Sequence, residues 1–580
     1  MVAGVLMAVS SSAQEQVSAQ QEQHGQPEAA SPGVSTRATV HGVVRTGPSG
    51  QPLARALVRI TGDAATGALT DEDGRFEIPN VPIGPQQFEV VKPGFTDQAA
   101  GEDGPSAHPH SLAHNVIVVA GMQDVIFEMT QLNSIRGMIQ LSTGEPAQSI
   151  QVTLLKRAIQ DGRAVWLTLS TNKTNSDGVY RFGGLADGEY ALYTDPAMES
   201  DAATDLIESG RGRSVERKGY ASVFYPDVRD LNGAAKIKLA GGDQAQADLR
   251  LVLEPFHAVA AQVGFPAGAR NGAAGSNLSF MALDAGGHQL PYSAQYDPNT
   301  RTMQALLPDG AYSLIAIASK SSQQNAGRGV SSFAAIGGPV FTGQVDVSVS
   351  GHAVSNLRIP LAAARPSPVQ VSVTRTGAAT TQQSGAARDS EVFITLSQTG
   401  AWVSDGMVIS FAQGNSAGPL DSAFVSPGAY WAHTSIASKG LCESSFTAGG
   451  ANLAREPLLL GLSGTSAPLY LTLRDDCASL TLALPASMSV PAAGEEPFYT
   501  IYVVPDFEST TDIVPQTLRA SSGARVTLAG LTPGDYHVYA FNRPVALEYR
   551  NRTSLSGLRG QAVTLSPGTE SELVVEAGQQ

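Results

Sequence analysis

Three carboxylates stand together in one short stretch near the start of the chain: Asp71, Glu72 and Asp73, immediately before Gly74. Clustered carboxylates are typical of a calcium loop, whereas an Asp-Gly pair is also typical of a tight turn. A calcium loop needs more oxygen ligands at ordered positions than this stretch supplies. Where the pattern recurs later, residues 521–523 read Ser-Ser-Gly and carry no acid. The sequence therefore predicts a turn.

A second group of residues suited to metal chemistry is His108, His110 and His114, which lie in one loop-like stretch. Three imidazoles can hold a transition-metal ion. Neighbouring glycines and prolines are instead typical of an exposed insertion between strands. We expect the exposed loop, with a metal site as the alternative, and we expect no cofactor.

The chain contains three tryptophans, Trp166, Trp402 and Trp431. An exposed indole on a β-sandwich can stack on the apolar face of a sugar ring, so these residues are the candidate ligand-binding positions. Trp431 follows Tyr430 in an alternating segment, which places their side chains on opposite faces of a strand. Packing in a core or plugging a loop is the alternative role for each tryptophan.

Catalytic motifs are not evident in the sequence. The zinc-peptidase patterns HxxE and HExxH do not occur. Residues 414–418 (GNSAG) match the nucleophile-elbow pattern, but Pro419 stands where the following helix should begin. We expect no enzymatic activity.

The first residues predict export. Residues 2–9 form a short apolar run, and Ser-Ser-Ala at 11–13 is a site where a signal peptidase can cut after Ala13. The polar residues 14–36 that follow are expected to be a disordered linker. We find no later run of about 20 apolar residues, so no transmembrane segment is expected.

The chain contains two cysteines, Cys442 and Cys477. In an exported chain they are expected to form a disulfide, which closes a loop of ~35 residues. Two buried free thiols are the alternative.

The elements that carry these residues are predicted to be strands. Glycine occurs 60 times and proline 34 times, so turns are frequent and long helices are not expected. Short alternating runs of apolar and polar residues recur, as at 151–155 and 500–504. The net charge of −15 argues against nucleic acid as a partner.

The strands are arranged in a pattern that recurs five times. Each repeat has a polar turn, a short strand and a second glycine turn, and in four of them a tyrosine follows that glycine by two residues. Separations of 104, 122, 118 and 106 residues between successive glycines indicate tandem domains. The shared residues are Gly84, Gly188, Gly310, Gly428, Gly534, Tyr190, Tyr312, Tyr430 and Tyr536.

Within a repeat, each element has a predicted role. Gly74 and Gly178, each after an aspartate, are expected to close a hairpin turn, since glycine takes positive φ without penalty. The tyrosines are expected to fill the core with the ring and to bond a loop with the hydroxyl. The residues expected to face inward in the first two repeats are Phe76, Ile78, Tyr180 and Phe182.

The repeats divide the chain into predicted segments. A signal remnant and a linker are followed by five β-sandwich domains, so the predicted fold class is all-β with few helices. The predicted boundaries are 1–13, 14–36, 37–132, 133–254, 255–362, 363–474 and 475–580.

The first repeat resembles a known family. Residues 38–62 contain a G-x-V strand and the pattern G-x-P-L-x-x-A-x-V, and T-D-x-x-G-x-F follows at residues 70–76. This combination resembles the carboxypeptidase regulatory-like domain, and residues 134–194 repeat it more loosely. The resemblance implies a seven-stranded sandwich of the prealbumin or starch-binding type. The tandem arrangement resembles large exported proteins of soil bacteria, acidobacteria especially.

The sequence thus predicts a non-catalytic, exported, multidomain protein that binds a ligand or partner, or acts as a spacer or scaffold. Its expected location is the periplasm, the cell surface or the medium. Carbohydrate or another cell-envelope polymer is the expected ligand. A protein-interaction or adhesin-like scaffold that binds an envelope protein is one alternative, and a hydrolase accessory is the other.

Overall fold

The computed structural model describes most of the chain between residues 36 and 576. The described residues are 36–47, 49–61, 63–96, 113–199, 217–266, 276–284, 289–320, 339–363, 369–374, 392–399, 402–403, 409–412, 428–437, 440–461, 468–485, 498–519 and 524–576.

The described residues fold almost wholly into strands, which form ten sheets and pack around five main apolar clusters. Each cluster draws its residues from one continuous stretch of chain. We call the five stretches units 1 to 5, which span residues 37–131, 133–251, 253–363, 369–474 and 478–574. The exact boundaries between domains stay a prediction.

Unit 1 has two four-stranded sheets, around a core that includes Val44, Phe76 and Phe127. Its strands are β1 (Arg37–Thr46), β2 (Leu57–Ile60), β3 (Asp63–Leu69), β4 (Arg75–Pro82), β5 (Gly84–Val91), β6 (Phe95–Thr96), β7 (Ala113–Val118) and β8 (Val125–Gln131). The sheet orders are β4-β1-β8-β6 and β3-β2-β5-β7. Strand β1 pairs with β8 in parallel and with β4 antiparallel.

Unit 2 packs its sheets around Ile135, Tyr180 and Tyr190. Its strands are β9 (Asn133–Leu141), β10 (Gln151–Gln160), β11 (Arg163–Lys173), β12 (Val179–Leu185), β13 (Gly188–Thr194), β14 (Ala197–Met198), β15 (Arg217–Tyr220), β16 (Ile237–Leu239), β17 (Gln244–Gln246) and β18 (Leu249–Leu251). One sheet has the order β12-β9-β17, with β18 also paired to β9.

Unit 3 packs around Met303, Tyr312 and Ile359. Its strands are β19 (Leu253–Gly264), β20 (Ser276–Leu283), β21 (Gln289–Leu290), β22 (Ala294–Asp297), β23 (Thr302–Leu307), β24 (Gly310–Lys320), β25 (Pro339–Val349), β26 (Val354–Pro360) and β27 (Ala362–Ala363). One sheet runs β21-β20-β24-β25-β27, and the other runs β14-β15-β19-β23-β22 with β26 also paired to β19. Two short strands of unit 2 therefore extend a sheet of unit 3.

Unit 4 packs around Ile394, Phe446 and Leu471. Its strands are β28 (Val369–Thr374), β29 (Val392–Gln398), β30 (Trp402–Val403), β31 (Ile409–Ala412), β32 (Gly428–Ile436), β33 (Cys442–Ala448), β34 (Ala451–Asn452), β35 (Leu458–Leu460) and β36 (Leu469–Arg474). The sheet orders are β28-β36-β33-β34 and β31-β29-β32-β35. Strand β30 leaves the unit and completes the second sheet of unit 2, in the order β16-β13-β10-β11-β30.

Unit 5 packs around Leu480, Ile501 and Tyr536. Its elements are β37 (Ala478–Ala483), β38 (Phe498–Pro505), β39 (Gln516–Arg519), β40 (Arg525–Leu531), β41 (Gly534–Phe541), α1 (Arg552–Leu555), β42 (Gln561–Leu565) and β43 (Glu570–Val574). The sheet orders are β40-β37-β43 and β39-β38-β41-β42. Helix α1 is the only helix of the described residues, and the Asn551 side chain caps it by accepting from the backbone N of Thr553.

The Asp-Gly turn of unit 1 connects strands of different sheets, since β3 and β4 do not pair, so the expected hairpin is wrong there. The Oδ1 atom of Asp71 accepts from the backbone N atoms of Asp73 (3.0 Å) and Arg75 (2.8 Å), which holds the chain as it crosses over. Gly74 has φ +71°, and a Cβ there would lie 2.5 Å from the carbonyl oxygen of Val44. Glycine is therefore required at position 74, but in a turn that connects two sheets rather than in a hairpin.

The same turn recurs in unit 2. The Oδ1 atom of Asn175 accepts from the backbone N atoms of Asp177 (3.0 Å) and Val179 (2.8 Å), and Gly178 has φ +71°. The strands on either side, β11 and β12, again belong to different sheets. The side chain that stabilises the backbone is thus the residue that opens the turn, an Asp or an Asn, rather than the aspartate before the glycine.

The tyrosines that follow the second glycine turn are buried. Three of them donate the hydroxyl to a carbonyl oxygen four residues earlier, which joins a core strand to the loop before it. The bonds run from Tyr190 to Ala186 (2.7 Å), from Tyr312 to Pro308 (2.9 Å) and from Tyr536 to Thr532 (2.6 Å). The ring of Tyr430 is 2% exposed, and burial raises its pKa to about 12.

Candidate functional site

The tip of the β10–β11 hairpin is the starting point of the candidate site. Gln160 and Arg163 are the last paired residues of the ladder, so Asp161 and Gly162 form a two-residue loop. Their φ values are +49° and +69°, as in a type I′ turn, which favours Asp-Gly. The QDGR sequence between two alternating runs carries this hairpin signal, so the turn, although not its partners, is encoded locally.

The hairpin tip lies between units 4 and 5. Gly162 is buried, and a Cβ there would lie 2.5 Å from ring carbons of Tyr549. The backbone N of Arg550 donates to the carbonyl oxygen of Gly162 (3.1 Å), and its Nε donates to that of Asp161 (3.2 Å). From unit 4, the Oγ of Ser397 donates to Oδ2 of Asp161 (3.1 Å).

We call this meeting point the hairpin junction. It brings unit 2 together with units 4 and 5, from which unit 3 separates it in sequence. Its members are Asp161, Gly162, Arg163, Ser397, Trp431, His433, Asp512, Tyr549 and Arg550.

His433 lies at the centre of the hairpin junction, with its side chain 2% exposed. Its Nε2 is 3.3 Å from Oδ2 of Asp161, and its Nδ1 is 3.7 Å from Oδ1 of Asp512. Neither ring nitrogen has a hydrogen-bond partner within the described part of the chain. Burial lowers the pKa of His433 to about 4, and the Arg550 and Arg163 charges add to this effect while Asp161 opposes it.

Asp512 faces the opposite edge of the same imidazole. Its side chain is 37% exposed, so one side of it meets solvent. Burial of the rest and the negative charge of Asp161 raise the pKa of Asp512 to about 6, against the opposing charge of Arg550. The backbone places it there, since the N of Asp512 donates to the carbonyl oxygen of Thr434 (3.0 Å).

Arg163 and Trp431 form the flank of the hairpin junction. The Arg163 guanidinium carbon lies 3.7 Å from the Trp431 ring centroid, which is a close cation–π contact. Burial, with the charge of Arg550, lowers the pKa of Arg163 to about 10. Asp161 and Arg163 on the hairpin tip thus contact His433 and Trp431 on strand β32, respectively.

Glu443 fixes unit 4 to unit 5 beside the hairpin junction. Its side chain is buried, and its carboxylate accepts from the backbone N of Thr510 (2.8 Å) and from the hydroxyls of Thr510 (2.6 Å) and Thr434. The preceding residue, Cys442, forms a disulfide with Cys477, the residue just before unit 5, and this bond confirms the predicted pairing. A covalent and a hydrogen-bonded link therefore lie side by side.

An ion pair supplies the third link. An Nη of Arg157, on β10 of unit 2, is 2.9 Å from Oε2 of Glu548 in unit 5. Burial alone would raise the pKa of Glu548, but hydrogen bonds from Asn551 and Arg157, with the charge of Arg157, outweigh it and lower the pKa.

The arrangement of groups at the hairpin junction limits its chemistry. The hydroxyl of Ser397 bonds the carboxylate of Asp161 rather than the imidazole of His433, which differs from the Ser-His-Asp order that activates a serine. Imidazole and carboxylate are instead the donors of a metal site, and one such atom from each of Asp161, His433 and Asp512 lies within 4.8 Å of the others.

The predicted tryptophans occupy two places. Trp431 belongs to the hairpin junction. Trp166 on β11 is half-buried, and the ammonium of Lys236 lies 4.9 Å from its ring centroid. The parallel register of β11 and β30 places Trp402 directly beside Trp166. Their role as ligand-binding residues stays a prediction.

The predicted histidine cluster is only partly described. His108 and His110 lie outside the described residues, as does the GNSAG stretch at 414–418. His114 is on β7, half-buried, with its ring centroid 5.0 Å from that of Phe127. A metal site at these three histidines stays a prediction.

Within the described ranges, no helix combines the length and the apolar character that crossing a bilayer requires.

Comparisons with solved structures return pilins, among other proteins, at low sequence identity and low TM-score. The Bacillus anthracis TIE protein is 10% identical, with 95% of this chain and 75% of that chain covered and a TM-score of 0.16. A minor pilin of Streptococcus agalactiae is 14% identical, covering 37% and 95%, at 0.18. The shaft pilin SpaA of Lactobacillus rhamnosus GG is 12% identical, covering 38% and 98%, at 0.17. TM-scores this low carry no argument about function.

No curated protein matches the chain. One family model does match it, over residues 39–112, and its description is carboxypeptidase regulatory-like domain. The match covers most of unit 1, where the sequence motifs indicate the same family. Unit 1 is therefore similar to the carboxypeptidase regulatory-like domain.

Proposed function

We propose that this chain is a non-catalytic scaffold of the cell envelope or cell surface, which holds its β-sandwich units at fixed positions. The hairpin junction is the observation that carries the proposal. It joins side chains 236 residues apart, at Ser397 and Asp161, and the nearby ion pair of Arg157 and Glu548 spans 391 residues.

Tandem domains are expected to move relative to one another unless their interface is substantial. Here the interface contains a buried imidazole, a glycine without room for a side chain and a buried carboxylate. Fixed separations allow several weak contacts to act together and to gain avidity. The geometry therefore suits a protein that presents surfaces at set distances.

The disulfide supports an exported location. Disulfides form and persist in oxidising compartments and are rare in the cytosol. The Cys442–Cys477 bond thus fits the periplasm, the cell surface or the medium.

An envelope protein is the partner that we favour. Strand β35 is at the edge of its sheet and exposes Leu459 (72%), and β43 is at the edge of another and exposes Val574 (53%). Edge strands offer unpaired backbone groups to a strand of a partner, and apolar side chains between them give specificity.

The rigid arrangement is tested by a distance measurement. Spin labels on cysteines placed at Lys173 in unit 2 and at Ala562 in unit 5, both exposed, report the separation of the two units. We expect a single narrow distance distribution by pulsed electron resonance on the full chain. A broad distribution would contradict the scaffold function.

Polysaccharide binding is the second candidate, because the register places Trp166 beside Trp402 at the edge of one sheet. Retention of the full chain on insoluble polysaccharides and peptidoglycan tests it. Saturable retention that Trp166→Ala and Trp402→Ala both abolish would support this function. Trp431→Ala is the control, because that ring already stacks on Arg163. If retention survives both substitutions, or if the wild type is not retained at all, polysaccharide binding at these tryptophans is excluded and an envelope protein remains the proposed partner.

A further inference from the structure

We propose that the hairpin junction binds a divalent transition-metal ion, with Asp161, His433 and Asp512 as its ligands. The three residues come from three different units, so the ion would tie units 2, 4 and 5 together. The inference deepens the proposed scaffold function by adding a ligand that controls it.

The donor atoms have distances close to those that one ion requires. Zinc binds imidazole nitrogen and carboxylate oxygen at about 2.0–2.2 Å, so two such ligands at a tetrahedral angle lie roughly 3.3–3.5 Å apart. Nε2 of His433 and Oδ2 of Asp161 are 3.3 Å apart. All three ligand atoms lie within 4.8 Å of one another. Asp512, whose Oδ1 is 3.7 Å from Nδ1 of His433, would have to turn toward the side of Asp161 to complete the set.

His433 is an independent indication of a missing ligand. Buried polar side chains almost always have hydrogen-bond partners, and those that lack one call for an explanation. Both ring nitrogens of His433 lack a partner among the described residues, although its side chain is only 2% exposed. A metal ion on one nitrogen would satisfy that nitrogen and leave the ring proton on the other.

The charges at the hairpin junction suit a divalent ion. Two carboxylates supply two negative charges, and a mixed imidazole and carboxylate set favours zinc or a neighbouring transition ion over calcium. The Arg550 guanidinium donates to the carbonyl oxygens of Ser509 (2.8 Å) and Thr511 (3.4 Å), and Arg163 stacks on Trp431. Both guanidinium groups thus have other contacts, although the charges of both still act on His433 and the two carboxylates would have to offset them.

Zinc alone is the probe for the test. The full chain is stripped with a chelator, dialysed and titrated with Zn²⁺ by calorimetry, and cobalt spectra report the ligand type. We expect one ion per chain. His433→Gln, Asp161→Asn and Asp512→Asn should each weaken binding by about tenfold or more.

His257→Gln is the matched control. His257 is also buried, its Nε2 lacks a hydrogen-bond partner in the described residues, and Oδ1 of Asp309 is 3.2 Å away, but a third ligand is not grouped with them there. Wild-type protein that takes up no zinc, or equal loss of binding in His257→Gln, would overturn the proposal. The titrations of the wild type and of His257→Gln do not depend on whether a junction variant folds.

The result is separable from that of the scaffold function. A narrow label distance without zinc binding would remove the metal site and leave the scaffold. Zinc binding with a broad label distance would retain the metal site and remove the scaffold.

Discussion

At Gly162 the backbone of unit 2 lies so close to unit 5 that there is no room for a side chain. This residue has φ +69°, and any side chain would enter the ring of Tyr549. Its carbonyl oxygen also accepts from the backbone N of Arg550. Both a conformational and a steric requirement therefore select glycine at this position.

Gly162→Ala should open the hairpin junction. The added methyl group would meet ring carbons of Tyr549 at 2.5 Å, and overpacking of this kind costs about 1–3 kcal/mol. We expect the label distance between units 2 and 5 to broaden. Gly568→Ala is the control, because it has a similar φ of +66° and nothing within 4 Å of its Cβ position. Equal label-distance distributions in the two variants would show that the steric contact between residue 162 and Tyr549 does not hold the units together.

The ion pair of Arg157 and Glu548 should make the contact between units 2 and 5 weaken in acid. The pKa of Glu548 is lowered in the folded protein, so its contribution is present above the unfolded pKa of about 4.3 and is lost as the pH falls through the lower folded value. Glu548→Gln should therefore cost about 1 kcal/mol or less at pH 7 and nothing at the acid end, measured by urea denaturation. Glu572→Gln, in the more exposed pair with Arg525, is the control, with a smaller effect. If the free energies of unfolding of the wild type and Glu548→Gln differed by the same amount at every pH, the predicted acid dependence would be wrong.

At the scale of elements, the recurring tyrosine links a core strand to the loop before it. The Tyr536 hydroxyl donates to the carbonyl oxygen of Thr532, which lies in the turn before β41, while the ring packs in the core of unit 5. The same geometry occurs in units 2 and 3. This element thus fixes the entry of one strand into three sandwiches.

Tyr536→Phe should weaken unit 5 by about 1 kcal/mol, because the carbonyl loses its partner while the ring remains. Hydrogen exchange of peptides from β41 should accelerate about fivefold. Tyr470→Phe removes a hydroxyl from a ring that is 44% exposed and serves as the control. Unchanged exchange in Tyr536→Phe would mean that the bond contributes nothing.

The disulfide closes the connection between β33 and β37. The loop between Cys442 and Cys477 spans 35 residues, and chain-entropy estimates for such a loop give about 3–4 kcal/mol. Replacing both cysteines by serine should lower the transition temperature of units 4 and 5 in calorimetry. Reductant should lower it in the wild type and leave the double variant unchanged. A wild type insensitive to reductant would contradict the expected contribution.

At the scale of the whole molecule, the units exchange elements with one another. Strands β14 and β15 extend a sheet of unit 3, and β30 of unit 4 completes a sheet of unit 2. Edge strands are otherwise exposed to unwanted pairing, so this exchange protects them. The units therefore follow one another in sequence, but strands that pair between units join them in space.

The sequence alone determined much of this protein at short range. Alternating residues predicted the strands, the glycine and tyrosine pattern predicted the five repeats, and the two cysteines predicted their bond. Motifs in residues 38–76 also indicated the family that matches unit 1. These features are local, because the backbone periodicity and the turn requirements are set by neighbouring residues.

Only the tertiary structure decided the hairpin junction. Asp161 and His433 are 272 residues apart, and Asp512 is 79 residues beyond His433. Alternation places Trp431 and His433 on the outer face of their strand, which hints at a covered surface but not at what covers it. The partner of an outer face depends on how whole units pack, and no local periodicity encodes that.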